Sequence, residues 1–546
     1  MPPSIHQLSR LSDLDGALID VIVIGGGITG AGIARDLAHR GIPVVLFERR
    51  DFASGTTSRS SKLIHGGLRY LERLEIGLVR EALREREILR RLAPHLIQPM
   101  PFLLPIYRDS ARSLTRVRLG LSLYDWLTPG RERSRHRVLR PVEALAAEAG
   151  IRAEELRGAG YYVDDVLLSP ERLCLENVLS AVRRGARAFN YCEVEDVQWG
   201  RTGVGSVQVR DLLTDRRATM RARVVVNAAG PWVDRVREQA GIVERGRRIT
   251  RTTKGVHAVL PRVTERAVYH SARDGRMLLV IPWRDLSLVG TTDSDFEGDP
   301  DRVDATPDEV RYLLDETRRV LSDPGLTERA VLYTYAGVRP LSWDGRTPPS
   351  EVSRAHTVVS ECGGTFLSVT GAKLTTFRSL AAQVGDLVTR TLGRPVGSRT
   401  AALALDGADT DLRDPAAGAW QQARSEALAS GLIAETVETL LATYGRAFTR
   451  VVDLVHALPD GGARLCPANP EVVAQLHYAV RHEMAVTLQD VLLRRTGIGT
   501  SRCQGRDCAE SIARRQAALL GWTPRRVTAE LDAWDTHVRR SQGFRT

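Results

Sequence analysis

Hydrophobic and polar positions at the start of the chain predict a strand, a turn, a helix and a second strand. The apolar, mostly β-branched run at 21–24 is typical of a buried strand. It leads into a glycine-rich segment at 25–30, after which apolar residues recur at helical spacing to about residue 39. Arg35 and Asp36 fall on the polar face of that helix. A second strand is predicted at 43–48.

The glycines have the spacing of a dinucleotide-binding turn. Gly25 permits a tight turn, Gly27 lets the backbone approach a pyrophosphate, and Gly30 lets the helix pack on the strand. Free N–H groups at the helix N-terminus would then face the phosphates. Glu48 can accept hydrogen bonds from both ribose hydroxyls of an adenosine, which argues against a 2′-phosphate. The alternative is a solvated strand end, but the order of strand, glycines and helix favours nucleotide contact.

Further along, the pattern predicts a binding loop and an inserted sheet. Residues 53–70 combine hydroxyls, a lysine, a histidine and two glycines with apolar positions, which is unusual for a flexible linker. A charged helix is predicted at 68–92. A strand at 223–232 ends in small residues and is expected to return to the first parallel sheet. Short β-rich runs at 250–345 indicate an antiparallel sheet that roofs the substrate site.

The last third of the chain is predicted to be helical. A strand, a glycine turn and a helix start at 366–377 return the chain to the first domain, before the composition changes near residue 400. Helical patterns then occur at 417–431, 434–458, 470–494 and 525–538. The predicted fold is α/β, with a Rossmann-like domain, an inserted antiparallel sheet and a C-terminal all-α domain. The predicted divisions are a discontinuous region at 1–395, with substrate-binding parts chiefly at about 75–160 and 245–345, and the helical domain at 396–546.

Composition narrows the class of protein. The chain has 546 residues, of which 43% are hydrophobic, enough for a large core. No apolar run approaches the roughly 18 residues that a membrane-spanning helix needs, and no signal peptide is evident. Six scattered cysteines predict neither a disulfide framework nor a metal site, and favour a reducing, cytoplasmic compartment. A net charge of +11 favours anionic partners.

One segment is a candidate for contact with a membrane surface. Residues 116–127 form an amphipathic helical pattern flanked by Arg112 and by a basic run at 131–140. Tyr124 and Trp126 would lie at head-group depth on an anionic bilayer. The same residues could instead pack as an ordinary core helix. The first alternative predicts peripheral association with the inner face of the cell membrane.

Several motifs together resemble those of the FAD-dependent glycerol-3-phosphate dehydrogenases of the aerobic, quinone-linked type. The resemblance covers nearly the whole chain, and its most specific part is the segment 62–70. The matching segments are 21–27, 60–71, 226–232, 290–293, 337–340 and 373–376, with 481–485 and 490–496 in the helical domain.

The resemblance implies an FAD-binding Rossmann-like domain and assigns residues to it. The implied cofactor-binding residues are Gly25, Gly27, Gly30, Glu48, Thr57, Ser61, Lys62, Leu63, His65, Gly66, Val194, Ala229, Gly230, Trp232, Lys373, Leu374 and Thr375. The implied substrate-binding residues are Arg69, Tyr70, His257, Arg339, Arg354 and Lys373.

The chemistry of these side chains agrees with oxidation of a phosphorylated alcohol. Arginines hold a phosphate well because their N–H groups bind it in pairs. Removing hydride from a secondary alcohol also requires a base for the hydroxyl proton. His257 is the candidate base because its unperturbed pKa lies near neutrality, although it could be a core histidine. Arg339 and Lys373 would stabilise the developing alkoxide.

The sequence departs from the family pattern at two places. Ala372 stands where glycine commonly precedes the lysine, and alanine tolerates a positive φ poorly. Residues 355–356, directly after Arg354, are Ala-His where Asp-Tyr is common.

The expected reaction is oxidation of sn-glycerol 3-phosphate to dihydroxyacetone phosphate, with electrons passing from FAD to membrane quinone. An oxidase that passes electrons to oxygen and forms peroxide is the alternative on the same scaffold. A basic nucleic-acid binder is disfavoured, because aromatic residues make up only 5% of the chain and do not alternate with basic ones. A homodimer is left open.

Overall fold

The structure is a computed structural model, and it describes residues 11–129, 135–199, 205–242, 248–323, 325–343, 355–408 and 418–545. The predicted residue Arg354, the side chain of Arg69 and part of the basic run at 131–140 lie outside the described residues. No helix in the described ranges is long and apolar enough to cross a membrane.

The chain begins with alternating strands and helices, continues with a mainly β region and ends with helices. The strands are β1 Leu18–Ile24, β2 Val44–Phe47, β3 Leu63–Ile64, β4 Ile97–Tyr107, β5 Arg137–Leu139, β6 Leu156–Leu167, β7 Arg187–Phe189, β8 Cys192–Trp199, β9 Gly205–Asp211, β10 Arg217–Asn227, β11 Thr250–Pro261, β12 Ala267–Ser271, β13 Met277–Trp283, β14 Leu286–Gly290, β15 Ser294–Asp295, β16 Tyr333–Ser342, β17 Thr357–Glu361 and β18 Phe366–Thr370. The helices are α1 Ile28–His39, α2 Ile76–Leu92, α3 Leu114–Leu127, α4 Pro141–Ala147, α5 Pro170–Arg183, α6 Val233–Gln239, α7 Pro307–Arg318, α8 Phe377–Thr391, α9 Gly418–Ala429, α10 Ala434–Tyr444, α11 Thr449–Ala457, α12 Val473–His482, α13 Leu488–Asp490, α14 Ala509–Leu520 and α15 Pro524–Ser541.

The first sheet brings the carboxyl ends of five parallel strands, β1, β2, β7, β10 and β18, to one edge. Its strand order is β17-β18-β10-β1-β2-β7, with β9 paired to β10 and β8 paired to β9. β1 lies parallel to both β10 and β2, and β18 lies parallel to β10. Ile24 at the end of β1 is therefore in register with Asn227 and Phe47. Ligands of open parallel sheets bind beyond such carboxyl ends.

The second sheet is mixed rather than purely antiparallel. Its order is β15-β11-β14-β13-β12-β4-β6-β3, with β16 on β11 and β5 on β6. β12 and β4 pair in parallel, whereas β11 runs antiparallel to both β14 and β16. The β-rich runs at 250–345 supply most of this sheet, and strands from 63–167, a range that contains the predicted part at about 75–160, complete it through the long antiparallel pair of β4 and β6. The expected fold class is confirmed; the domain boundaries stay predictions.

Helix α1 is buried on its polar side as well as its apolar side. Arg35 and Asp36, which the sequence pattern places on the polar face, are only 1% and 0% exposed. The reason is that α5 and the segment after α8 cover that face. Arg35 Nε donates to Ser180 Oγ at 3.2 Å, and Asp36 pairs with Arg40 within the helix.

Two further expectations are corrected at α2 and α3. The charged helix expected at 68–92 is interrupted: a 3₁₀ helix covers Leu68–Arg73, and α2 begins only after Leu74, which has a left-handed φ of 57°. Tyr124 on α3 is buried, not placed for lipid contact, because its hydroxyl donates to Asp164 at 2.8 Å.

The helical domain packs against the first domain through buried charges. Asp51, fully buried, accepts hydrogen bonds from Arg494 and Arg495 on the π-helical turn Val491–Arg495. Arg172 on α5 pairs with Glu483. Five apolar residues of the helical pattern at 470–494 are buried: Leu476, Val480, Met484, Leu488 and Leu492. Helix α14 was not foreseen.

Candidate functional site

A cavity lies at the carboxyl edge of the first sheet, and we call it the turn cavity because the β1–α1 turn forms its floor. Gly25 has a φ of +105°, and a Cβ there would come within 2.7 Å of the Ala228 carbonyl oxygen. A Cβ on Gly30 would lie 1.9 Å from the Gly25 carbonyl oxygen, so Gly30 allows the helix to approach the strand. A Cβ on Gly27 would meet only Thr57 Oγ1, at 3.4 Å. The space above Gly27 is therefore open to a ligand.

Glu48 lies at the wall of the turn cavity, at the end of β2. Its carboxylate accepts hydrogen bonds from the backbone N–H of Gly26 at 2.7 Å and of Arg50 at 2.8 Å. Burial raises the pKa of this carboxyl, and the two N–H donors partly oppose that effect. The carboxylate is thus fixed beside the glycine turn, where ribose hydroxyls of a dinucleotide would lie.

The opposite wall comes from β8, the end of β10 and the loop after β2. The Trp232 ring lies under the Arg49 guanidinium at 4.5 Å, and Trp232 Nε1 is a buried donor without a partner among the described residues. Thr57 Oγ1 accepts from the Ile28 N–H at 3.0 Å and so fixes the loop on the helix start. The predicted cofactor residues that line this cavity are Gly25, Gly27, Glu48, Thr57, Val194, Ala229, Gly230, Trp232, Lys373 and Leu374.

A second cavity, the histidine cavity, lies between the binding loop and the second sheet. His257 on β11 is 2% exposed; its Nε2 is 2.9 Å from Ser61 Oγ, and its ring stacks on Tyr335 at 4.7 Å. Burial, then the charges of Arg339 and Lys62, lower the pKa of His257 to about 3. The imidazole is therefore neutral near pH 7.

Besides Arg59, two cations line the histidine cavity with His257. Arg339 on β16 donates to Thr291 Oγ1 at 2.8 Å and pairs with Asp293 at 3.1 Å. The absence of a side chain at Gly255 makes room for it, because a Cβ there would lie 2.0 Å from an Arg339 nitrogen. Lys373 Nζ lies 3.9 Å from the centroid of the Tyr70 ring. The cavity is thus positively charged on one side.

The two cavities meet at a shared wall. The residues that line both are Thr56, Ser60, Pro340, Ala372, Lys373 and Leu374. In the turn after β18, Gly371 has a positive φ of +73°, whereas the φ of Ala372 is not positive. Alanine at 372 therefore does not strain the turn. A group bound across this wall would reach from the glycine turn to His257.

The structure does not bring every predicted residue to the two cavities. Lys62 points away from both: its Nζ lies 3.7 Å from Glu171 and 4.8 Å from the centroid of the Trp283 ring. Its left-handed φ of 56° directs the side chain to that side of the loop. Gly66 packs under α3, where its N–H donates to the Tyr124 hydroxyl. Gly30 lines neither cavity and instead lets α1 pack closely on β1.

The remaining predicted residues lie at the histidine cavity, and sequence reasoning missed several of their neighbours. The predicted residues there are Ser61, Leu63, His65, Tyr70, His257, Arg339, Lys373, Leu374 and Thr375. The missed neighbours are Gly255, Thr291, Asp293 and Tyr335. The motif segments 290–293 and 337–340 contain part of this signal, but β-strand pairing is needed to show that they meet.

Comparison with known proteins agrees with this geometry. A family model described as "FAD dependent oxidoreductase" matches residues 20–378, and one described as "C-terminal domain of alpha-glycerophosphate oxidase" matches residues 398–527. The glycerol-3-phosphate dehydrogenase of a Synechocystis species is 35% identical, over 98% of this chain and 99% of its own length. An aerobic glycerol-3-phosphate dehydrogenase of Staphylococcus aureus is 33% identical, over 96% and 95%.

A solved structure is similar over the whole chain. The glycerol-3-phosphate dehydrogenase of Bacillus halodurans, solved in complex with FAD, is 30% identical and superimposes with a TM-score of 0.81, over 99% of this chain and 98% of that one. The open glycine turn, the fixed carboxylate and the Trp232 donor fit the same cofactor. The chain therefore belongs to the family of FAD-dependent glycerol-3-phosphate dehydrogenases.

Proposed function

We propose that this chain oxidises sn-glycerol 3-phosphate at C2 to dihydroxyacetone phosphate. The observation that carries the proposal is the histidine cavity: a neutral buried imidazole and two cationic side chains line one space that adjoins the turn cavity. Bound FAD supplies the hydride acceptor. The names of the similar dehydrogenases support the same substrate.

His257 is proposed to take the proton of the C2 hydroxyl. A general base must be unprotonated at the working pH, and burial keeps this imidazole neutral in the unliganded site. The negative charge of a bound phosphorylated substrate would raise the pKa of His257 toward the working pH and make it a stronger base. Ser61 Oγ at Nε2 and the Tyr335 ring fix its orientation. Its Nδ1 is buried without a hydrogen-bond partner among the described residues, which leaves one ring nitrogen for substrate.

Arg339 and Lys373 are proposed to hold the negative charges of the substrate. A phosphate monoester carries nearly two negative charges, and a forming alkoxide adds a third. Hydrogen bonds to Thr291 and Asp293 hold the Arg339 guanidinium beside Gly255 of β11. Tyr70 supports the Lys373 ammonium by a cation–π contact. Arg69 and Arg354 stay predicted phosphate contacts.

The proposed acceptor is a membrane quinone that approaches along an apolar groove. This leucine groove lies beside the 3₁₀ helix Leu68–Arg73, whose Tyr70 reaches the histidine cavity. Exposed apolar side chains support membrane contact: Leu74 and Leu119, which line the groove, are 79% and 67% exposed, and Trp126 further along α3 is 79% exposed. The groove is lined mainly by apolar residues, with Arg116 and the ion pair of Arg112 and Glu72 among them; the apolar residues are Leu68, Leu71, Leu74, Leu104, Val117, Leu119, Leu123 and Met277.

Steady-state turnover tests the substrate and the acceptor together. The FAD-loaded protein should form dihydroxyacetone phosphate from sn-glycerol 3-phosphate with a soluble quinone, and should not oxidise glycerol at comparable concentration. Peroxide in amounts equal to product under air, with no stimulation by quinone, would assign oxygen as the acceptor instead. Absence of product with either acceptor would refute the proposed reaction.

Co-sedimentation with anionic liposomes at low salt tests the membrane surface. A Leu119→Asp, Trp126→Ala double variant should stay in the supernatant, because it removes the exposed apolar side chains of α3. Leu213→Asp is the matched control, since Leu213 is 45% exposed at the β9–β10 turn, on the other sheet. Equal sedimentation of the double variant and wild type would contradict this placement.

A further inference from the structure

Two cysteines meet inside the helical domain. Cys466 and Cys503 are 37 positions apart in the chain, and their Sγ atoms are 3.8 Å apart, which is close to van der Waals contact. The side-chain amide of Asn469 donates to both sulphurs, at 3.2 Å to Cys466 and 3.5 Å to Cys503. No group of metal-ligating side chains suited to an ion occurs in the described ranges, so metal binding does not explain this contact.

The two thiols differ in their access to solvent. Cys466 is fully buried, whereas Cys503 is of intermediate exposure. Ser501 Oγ lies 3.4 Å from the Cys503 sulphur and adds a second polar neighbour. A soluble oxidant therefore reaches Cys503 first. The thiolate is the form that attacks an oxidant, and the Asn469 side-chain amide donates to both sulphurs.

We propose that Cys466 and Cys503 are a redox-active pair that hydrogen peroxide converts into a disulfide. The Cys503 thiolate attacks one peroxide oxygen, the O–O bond breaks, and hydroxide leaves and is protonated to water. Cys503 is then a sulfenic acid. The Cys466 thiolate attacks that sulphur, the S–O bond breaks, and a second water forms as the S–S bond closes. The two sulphurs together lose two electrons, and the peroxide gains them.

The surrounding structure allows the sulphurs to approach. A disulfide bond is about 2.05 Å long, so the Sγ atoms must move about 1.8 Å closer than their present separation. Cys466 lies in the connection between α11 and α12, and Cys503 in the turn that precedes α14. Neither residue is in a helix, so closing the bond requires side-chain rotation and a loop shift but no break in a helix.

Cys508 is close to Cys466 but is a poorer partner. It is buried, and its Sγ lies 3.6 Å from the Gly505 carbonyl oxygen. Burial, together with the contact to Cys466, raises the pKa of the Cys508 thiol. It is therefore kept as a thiol when Cys503 reacts.

The disulfide would constrain a loop that contacts the second sheet. Tyr333 donates its hydroxyl to the Thr500 carbonyl at 2.7 Å, three residues before Cys503. Gln504 accepts from Gln542 at 2.8 Å, which ties the same loop to the C-terminal end of α15. Oxidation would fasten this loop to the α11–α12 connection and so raise the melting temperature of the helical domain.

Peptide mapping of the peroxide-treated holoenzyme tests the proposal. After reduction and removal of reductant, hydrogen peroxide should abolish two of the six titratable thiols of the denatured chain and yield a 466–503 linked peptide. Dithiothreitol should restore both thiols. Cys466→Ser should stop at a Cys503 sulfenic acid that dimedone traps. Cys362→Ser, which removes an exposed thiol elsewhere, should still form the link.

Three outcomes would overturn the pairing. They are a 466–508 link in place of 466–503, sulfenic acid at Cys362 with Cys503 still reduced, and no linked peptide at peroxide concentrations that oxidise free cysteine. A melting temperature of oxidised wild type equal to that of reduced wild type would refute the constraint on the loop. None of these readouts depends on turnover, so they stand apart from the proposed dehydrogenase activity.

Discussion

His257 is the residue on which the proposed chemistry depends most. General bases contribute roughly 10²- to 10⁴-fold to a rate. We expect His257→Asn to slow flavin reduction within that range while the protein still binds FAD, because the residue lines the histidine cavity only. Ser61→Ala is the control, because it removes the orienting hydroxyl and keeps the base. It should slow flavin reduction less than His257→Asn does. Flavin reduction at the wild-type rate in His257→Asn would exclude this base. Stopped-flow absorbance measures the rate.

The buried state of His257 also predicts how stability depends on pH. Its pKa is lowered on folding, from 6.5 to about 3, so the unfolded chain binds the proton first as pH falls. The stabilisation by the neutral form is fully present above pH 6.5 and is lost toward pH 3. Between pH 6.5 and pH 3, the free energy of unfolding of the apo protein should fall by up to about 1.4 kcal/mol per pH unit more than that of the His257→Asn variant. Urea unfolding at pH 7 and pH 5 measures this difference. Equal losses of stability in wild type and His257→Asn would contradict the prediction.

Residue-scale prediction from sequence worked where chemistry is local and failed where partners are distant. Glu48 and the glycines follow from spacing within one β-α-β unit. The direction of Lys62 depends on Glu171 and Trp283, which tertiary packing brings to it. Arg35 and Asp36 are polar in sequence but buried, because another helix and a later segment supply their hydrogen-bond partners.

At the scale of elements, the β1–α1 turn separates two roles of glycine. Gly27→Ala should leave the stability of the apo protein nearly unchanged, because its Cβ makes only an ordinary contact, yet it should lower FAD occupancy by filling the open space. Gly30→Ala should destabilise the apo protein by about 1–3 kcal/mol, because its Cβ overlaps the Gly25 carbonyl. The ratio of absorbance at 450 and 280 nm and apo-protein unfolding measure the two effects. Full FAD occupancy in Gly27→Ala would contradict the pyrophosphate role.

Asp51 is one of the buried charges through which the helical domain contacts the first domain. Burial alone would raise the pKa of Asp51, but the charges of Arg495 and Arg494 outweigh it and lower the pKa to about 2. Asp51→Asn leaves two buried guanidinium groups without their shared carboxylate, which we expect to cost about 3–5 kcal/mol.

A surface ion pair provides the matched control for Asp51. Asp460 pairs with Arg515 at 2.6 Å, with both side chains more than a third exposed, so Asp460→Asn should cost at most about 1 kcal/mol. Urea unfolding of both variants, followed by circular dichroism, gives the comparison. Equal effects of the two substitutions would show that the buried cluster does not hold the domains together.

At the scale of the whole molecule, sequence predicted the architecture better than the site. The order of apolar runs gave the first sheet, the second sheet and the helical domain, because each depends on a periodicity within a short segment. Assembly of the site required sheet register. Arg339 meets Thr291 and Asp293 only because β16 and β14 both pair with β11. The mixed second sheet was unforeseen for the same reason, since β4 and β12 are distant in the chain.

Anaerobic flavin absorbance tests the central claim most directly. The FAD-loaded protein, mixed with sn-glycerol 3-phosphate without oxygen, should lose its absorbance near 450 nm as dihydroxyacetone phosphate forms in equal amount. Glycerol at the same concentration should leave the absorbance unchanged. A flavin that stays oxidised in excess sn-glycerol 3-phosphate would contradict the proposed reaction.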